Sequence, residues 1–529
     1  MLNTSAAYKA AVVGDARRVL LRAVVDMISP DIVYGSVTSS GESAYSKPAQ
    51  LHDKVMEIGR PFATLEHNRW ILGEKFAAAG TTDQVGFESA GQFGADGSGN
   101  LYVEMQFSGV SILQSCAVYF PTAVCDGVPE DFTVAVKRGG TVRWSQSYTG
   151  NTAHSVRCEG FTVENPDAIR ITVTRWSLPC RRLRIPEIVP GLYEIWDGDV
   201  LAALSVTQQS AFSGLSLPYG TCTLSVDNSA RRFDPYAQSG LFRSIEERQG
   251  FQVSFGVETA DGVEYVPAGI FYQYSGGWRS GSNALALQWT LVDIVGLLAG
   301  RTFSMPTPQP TTLAGWIAAL VAQLGSNFAA RYYVDPAYAS LSCTADAAKL
   351  ADKTCGQILM WVCQATGTWP RARAEDGRLA VEPFRSGGRV LDFDNLSAFP
   401  TASANADIAR IDFELSNGTK ISVPGTNPTS PTTQSVSNPF LHTAAAAQAA
   451  AVMILASFGG NQIETTGRGD PSVEIGDVNT VQITDELSAQ GRVLSQTFPI
   501  TDGVLKGCKT VMLKIGDVSD WNTTGGDGT

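Results

Sequence analysis

The chain has 529 residues and a mass of 56.3 kDa, too long for one ordinary core and enough for roughly three or four domains of about 100–200 residues each. Hydrophobic residues make up 44% and charged residues 17%, which places it among globular rather than disordered chains. With 39 Lys+Arg against 51 Asp+Glu, the net charge is −12 and the pI near 5.0, which argues against stable nucleic-acid or anionic-membrane binding through net charge.

Met1-Leu2-Asn3-Thr4-Ser5 lacks the basic start and apolar run of a secretory signal. The most apolar stretch, Ala444 to Phe458, falls short of the ~20 residues that span a bilayer, so no transmembrane segment is expected. The nine cysteines are scattered, odd in number and without a Cys-x-x-Cys pair, which argues against zinc ribbons, thioredoxin-like motifs and a disulfide framework. Cys355 and Cys363, eight apart on a predicted helix, are expected to be small buried hydrophobes. The chain is expected to fold in a reducing cytoplasm.

Taken in order, most of the elements read as β. Val103, Met105 and Phe107 share one face of a strand, as do Phe132, Val134 and Val136. Arg138-Gly139-Gly140-Thr141 turns the chain into a run holding Val142 and Trp144. Ile169, Ile171 and Val173 then alternate with Arg170, Thr172 and Thr174, as on a half-buried antiparallel strand. Cys222/Leu224/Val226, Phe251/Val253/Phe255/Val257 and Leu285/Leu287/Trp289/Leu291 repeat the alternation, and Asp261-Gly262 signals a hairpin into the Val263 to Phe271 strand.

After the Pro-rich connector Pro306 to Pro310, Leu313, Trp316, Ile317, Leu320, Val321 and Leu324 fall on one face of a helix. Thr354 caps a second helix with Ile358, Leu359 and Val362 inward and Gly367 at its end. A hairpin follows, Trp369 to Arg373 and Leu379 to Phe384 around Asp376-Gly377. Val423 to Asn438 reads as a long polar loop or arm. An Ala-rich helix at 443–458, strands from 472 to 516 and a Gly/Thr-rich tail close the chain.

The expected fold class is mainly β and multidomain. The expected divisions are an N-terminal segment 1–60, a β-sandwich 61–190, a β domain 191–300, an α/β domain 301–385, a second β domain 386–519 carrying the Ala-rich helix, and a flexible tail 520–529.

Signals for chemistry are few. His52, His67, His154 and His442 have no metal-ligand spacing. No Gly-x-Ser-x-Gly elbow or P-loop is present, and Gly94-Ala95-Asp96-Gly97-Ser98-Gly99 lacks the context of a phosphate loop. A glycosidase needs two suitably separated carboxylates, which 51 acidic residues do not single out. Arg468-Gly469-Asp470 spells an adhesion tripeptide, but within Gly469-Asp470-Pro471-Ser472-Val473-Glu474-Ile475-Gly476-Asp477 it reads as the start of a strand. Trp144, Trp176, Tyr119 and Phe120 fall in the sandwich segment, where aromatic residues either form a sugar-stacking platform or fill the core. No catalytic residue, cofactor site or metal site is assigned; Trp144 and Trp176 are the candidate glycan-binding residues.

Cys222-Thr223-Leu224-Ser225-Val226-Asp227-Asn228, followed by Arg232-Phe233-Asp234-Pro235, resembles a passage of phage tail-hub proteins. The likeness continues through Val266-Pro267-Ala268-Gly269-Ile270-Phe271-Tyr272, Thr290-Leu291-Val292-Asp293, the helix around Trp316, Thr354-Cys355-Gly356-Gln357-Ile358-Leu359, Asp376-Gly377-Arg378-Leu379 and Gly469-Asp470-Pro471-x-x-Glu474-x-Gly476-Asp477, in family order.

Toward the front, Tyr8 to Gly35, Glu66-His67-Asn68-Arg69-Trp70-Ile71-Leu72-Gly73 and the phrase Arg175 to Ile185 are similar to baseplate hub proteins of long-tailed phages and prophages of Gram-positive hosts, which carry an inserted galactose-binding-like jelly roll. Relatives often extend into fibre-like or peptidoglycan-cutting domains, whereas this sequence stops at Thr529, and it shows no calcium-ligand cluster in the sandwich. The resemblance implies tail-hub β domains and a non-enzymatic virion protein at the tail tip, made in the bacterial cytoplasm. It further implies a homotrimer that adapts a sixfold tail tube to a threefold tip, with a distal tail protein, a tape-measure protein and tail fibre or receptor-binding proteins as partners, and a host cell-wall glycan as a candidate ligand of the insertion. The alternative is a carbohydrate-binding protein or glycan-active enzyme with a β-sandwich binding module.

Overall fold

The computed structural model describes residues 1–14, 17–29, 32–41, 48–57, 63–71, 86–210, 215–229, 249–281, 285–325, 328–384, 387–404, 407–458, 461–501, 504–505 and 507–518. The Arg232-Phe233-Asp234-Pro235 phrase, Leu72-Gly73 and the tail 520–529 lie outside these residues. The fold is mainly β with several antiparallel sheets. The chain divides into two compact units, one built on Asp26–Glu194 and the other on Met1–Val25, Ile195–Arg231 and Gly250–Thr529.

The Asp26–Glu194 unit is a β-sandwich. One sheet has the order Val33–Ser39, Ser98–Ser108, Ala168–Trp176, Pro129–Arg138, Thr141–Tyr148. A second runs Glu187–Val189, Ile112–Tyr119, Ser155–Glu164, and a two-stranded piece pairs Arg182–Ile185 with Phe87–Gln92. The three predicted apolar triplets, Val103/Met105/Phe107, Phe132/Val134/Val136 and Ile169/Ile171/Val173, are buried in one core with Leu113, Val118, Val156 and Phe161 from the facing sheet. The turn after Arg138 works because Gly139 and Gly140 both take positive φ, +57° and +74°, the conformation a tight hairpin demands.

The expected boundary at 60 is displaced. Strand Val33–Ser39 pairs antiparallel with Ser98–Ser108 and belongs to the sandwich. Its own sequence, Val-Tyr-Gly-Ser-Val-Thr-Ser, carries no alternation that names a partner, so only the pairing assigns it.

In the other unit an antiparallel path runs Gly250–Thr259, Gly262–Ser280, Ala286–Val292, Thr221–Asp227, Leu201–Gln209, Ser488–Thr501, Cys508–Val518, Gln462–Gly467, Leu396–Ser403. The expected domains 191–300 and 386–519 are therefore joined through one ladder, in which Ala203 to Gln209 face Thr501 back to Ser495. The predicted Asp261-Gly262 hairpin is present, with Thr259 opposite Gly262.

The α/β piece holds the two expected helices. Helix Leu313–Ala322 buries Leu313, Trp316, Ile317, Leu320 and Val321. Helix Cys355–Thr366 starts with a capping box between Thr354 and Gln357 and ends at left-handed Gly367. Both pack with strands Tyr332–Val334, Leu379–Val381 and Pro370–Ala372 around one core, and Cys355 and Cys363 are buried there. The segment Val423 to Asn438 is corrected from a loop. Lys420–Pro424 and Thr433–Ser437 flank Arg410–Glu414 in a small sheet, whose inward Ile411, Phe413 and Val436 pack on helix Ala444–Ala456. Polar residues outnumber apolar ones there because only one face of so small a sheet is covered.

Candidate functional site

The two candidate tryptophans do not form one platform. On strand Pro129–Arg138, Trp144 sits opposite Val136 and Trp176 opposite Pro129, a spacing of about 23 Å along the strand at ~3.3 Å per residue. Trp176 is 1% exposed. Its ring packs on Phe93 with centroids 5.5 Å apart, and its indole N–H donates to the Asp126 carbonyl at 2.7 Å. It is a core residue and offers no ring face to a sugar. Trp144 is half-buried on the edge strand Thr141–Tyr148, stacked on Phe161 at 4.2 Å. Tyr119 is half-buried, and Phe120 lies in the core, edge-on to Phe132.

The histidines stay apart in local roles. The His52 ring stacks on Tyr34 at 3.8 Å, His154 Nδ1 lies 2.5 Å from the Pro121 carbonyl, and His442 bonds Ser416 and Thr344. Among the described residues no group of three or more His, Cys, Asp or Glu is placed to hold a metal ion, and no helix is long and apolar enough to cross a membrane.

What the structure does bring together are charged residues. In the sandwich, Glu66 and Arg69 of the front phrase meet Arg181 and Arg184 of the closing phrase, with Glu88 and Asp126 between them. Arg184, 2% exposed, donates from both terminal nitrogens to Glu66 (3.1 Å for Nη1 to Oε1) and from Nε to Glu88 Oε2 at 3.2 Å. Arg69 donates to Asp126 Oδ1 at 2.8 and 2.6 Å. Arg181 instead satisfies backbone carbonyls of Cys125, His67 and Asn68 at 2.8–2.9 Å. Burial pushes the Glu66 carboxyl up, but the hydrogen bonds and charge of Arg184 outweigh it and hold the group below the usual carboxylate range. Glu88 goes the other way, raised by burial first, against the opposing charge of Arg184.

Leu183, Arg184 and Ile185 are all buried, so strand Arg182–Ile185 shows no inside–outside alternation. The legible signal was a run of arginines beside apolar residues, with Glu66 far upstream.

In the other unit the Gly469–Asp477 phrase is a second node. Asp470 accepts from the Tyr8 hydroxyl at 3.1 Å, the Ser472 N–H at 2.8 Å and Arg389. Glu474 accepts from Arg371 at 2.9 Å, and Asp477 from the Glu474 N–H at 2.8 Å and the Met1 amino group at 2.7 Å. Arg371 and Arg373 share Glu382. Asp470 is buried and committed, so the adhesion tripeptide is closed to a receptor. A small cavity of about 40 Å³ lies beside this node, lined among others by Gln208, Asp293, Arg371, Arg373 and Glu474. That is room for water rather than for a sugar or cofactor. Asp293 caps helix Ile294–Ala299 through the Gly296 N–H and also accepts from Gly220; burial raises it to about 6.

No family model matches the chain, and no curated protein matches it in sequence. Among solved structures it is similar to the 43 kDa tail protein of prophage MuSo2 from Shewanella oneidensis, at 16% identity and a TM-score of 0.42, over 61% of this chain and 95% of that one. It is also similar to a tail protein from Neisseria meningitidis MC58, at 15% identity and a TM-score of 0.39, over 59% and 92% of the two chains. A third is E. coli c3393, a type VI secretion component described as similar to the T4 bacteriophage tail proteins gp27 and gp5, at 9% identity and a TM-score of 0.38, over 60% and 74%.

Two outcomes follow from the sandwich charges. Arg184→Leu leaves Glu66, Glu88 and Asp126 facing each other without their shared cation, and the expected cost is about 3–5 kcal/mol in denaturant unfolding followed by tryptophan fluorescence. Glu187, 1% exposed, is raised to about 8 by burial first, with the Lys54 N–H opposing and Asp53 adding. The folded chain thus holds a proton here that the unfolded chain has released above its ordinary value of 4.5. Stability contributed by this group is full below that value and declines as pH rises toward 8. Glu187→Gln should leave thermal stability unchanged at pH 4 and raise it at pH 8–9, by on the order of a few kcal/mol.

Proposed function

We propose that this chain is a structural hub subunit of a phage or prophage tail tip. In this reading it adapts a sixfold tail tube to a threefold tip as a homotrimer and anchors the distal tail, tape-measure and fibre or receptor-binding proteins. One observation carries the reading. In three of the phrases that resemble phage tail-hub proteins the charged residues pair and become buried: Glu66 and Arg69 with Arg184 through a shared set of carboxylates, and Asp470, Glu474 and Asp477 with residues of the N-terminal segment and the α/β piece.

Their chemistry is spent on holding shape. Buried Arg–carboxylate sets of this kind specify an arrangement more than they stabilise it, which suits a subunit whose work is geometric. The resemblance implies two related β regions per subunit, and three copies of these would present six similar edges to a sixfold tube. Reconstruction of an assembled tail tip should show three copies in one ring; one copy or six would overturn the reading.

Host-glycan contact through the inserted sandwich, read as a galactose-binding-like jelly roll, rests on Trp144 alone. The full chain is expected to bind host cell-wall polysaccharide by titration, and Trp144→Ala to weaken binding at least tenfold with an unchanged melting temperature. Absence of binding by the wild-type chain, or unfolding of the variant, makes the sandwich purely architectural.

A further inference from the structure

Cys116 and Cys158 are directly opposite each other on the antiparallel strands Ile112–Tyr119 and Ser155–Glu164. Residues so placed have Cα atoms about 4.5–5.5 Å apart, inside the ~4.4–6.8 Å range a disulfide spans. Both thiols are fully buried in the sandwich core, and both are free. A third group joins them: the Tyr148 hydroxyl, from the edge strand of the facing sheet, lies 3.2 Å from Cys158 Sγ. The other cysteines lack this arrangement. Cys343 and Cys363 are buried near each other, but one lies on a loop and the other on a helix, with no shared register.

We propose that Cys116 and Cys158 form a thiol pair that closes to a disulfide when the folded protein meets a peroxide-class oxidant. The pair is chemically unequal in the direction this needs. A hydrogen bond from the Cys116 thiol lowers Cys158, aided by the Tyr148 hydroxyl, while the same bond and burial raise Cys116. Cys158 is therefore the attacking thiolate.

Its sulfur takes one oxygen from hydrogen peroxide as the O–O bond breaks, giving a sulfenic acid and, with the released proton, water. The Cys116 sulfur then attacks the sulfenic sulfur, the S–S bond forms, and a second water leaves with the Cys116 proton. Two thiols lose two electrons in all, and one peroxide becomes two waters. Access comes from strand Ser155–Glu164, which is the edge of its sheet and carries a register shift between the pairs Leu113–Val163 and Ser115–Glu159. Opening there admits a small oxidant without unfolding the core.

The closed bond would enclose the hairpin of strands Pro129–Arg138 and Thr141–Tyr148, both of the facing sheet, in a covalent loop. A chain made under reducing conditions would thus lock its sandwich after exposure to an oxidising medium. This holds whatever assembly carries the sandwich and does not depend on the tail reading.

The test uses the full-length chain, treated with hydrogen peroxide under native conditions, alkylated and digested without reduction. A peptide containing Cys116 linked to one containing Cys158 is expected, with retained circular dichroism and a melting temperature raised by several degrees. Reductant should reverse both changes. Cys116→Ser and Cys158→Ser should each abolish the linked peptide and the thermal shift, and Tyr148→Phe should slow closing severalfold while forming the same link. Recovery of both cysteines as free or over-oxidised thiols, or linkage of either to a different cysteine, overturns the proposal. The wild-type peptide map decides this even where a variant fails to fold.

Discussion

A carboxylate taken out of water must find a cation and enough donors to replace its hydration, and in this chain that requirement organises the larger unit. Asp470, Glu474 and Asp477 stand within eight residues of one another and are all buried. Each is compensated from a different distant stretch. Tyr8 and Arg389 reach Asp470, Arg371 reaches Glu474, and the Met1 amino group reaches Asp477. Arg17 adds to this by donating to the carbonyls of Arg468 and Gly469. Helix Ala6–Val13 is held beside the phrase, with Tyr8 and Val12 buried against Val257 and Val266. Losing Asp470 would leave Arg389 without that partner and free Tyr8, 462 residues away in sequence, because desolvation makes such sets costly to break.

The sandwich uses the same device on a different scale. Its apolar core is supplied by alternating strands and would close on hydrophobic burial alone. Beside that core stands a buried charged cluster. Glu66 and Arg184 lie 118 residues apart, and their contact ties the segment before strand Phe87–Gln92 to strand Arg182–Ile185. Arg181 donates to the carbonyls of His67 and Asn68, so backbone that would otherwise be buried without donors is satisfied as well. Charge thus serves closure here, and the two nodes give a physical reason why the phrases resembling hub proteins are written in Glu, Asp and Arg rather than in apolar residues.

The local elements were legible in the sequence because their causes are local. Thr354 with Gln357 makes a capping box and Gly367 supplies the left-handed stop. Asp261-Gly262 turns a hairpin, Gly139-Gly140 another, and Phe132, Val134 and Val136 alternate with a period that only a strand satisfies. Each signal is complete within a few residues, so backbone sterics and a single buried face suffice to read it.

Which of these elements meet is settled by contacts across the chain. Nothing in Leu201–Gln209 points to Ser488–Thr501 as its partner, since an unpaired ladder edge accepts any complementary strand. The same holds for Val33–Ser39, whose place in the sandwich is set by Ser98–Ser108. Trp144 and Trp176 look alike in sequence, yet one stands at a sheet edge and the other caps the core beneath Gly127 and Phe93. Arg184 is buried only because carboxylates from residues 66, 88 and 126 are brought to it. Strands, turns, caps and apolar faces are written locally along the chain; pairing, burial and charge compensation belong to contacts between distant segments, whose energies exist only once the chain has closed on itself.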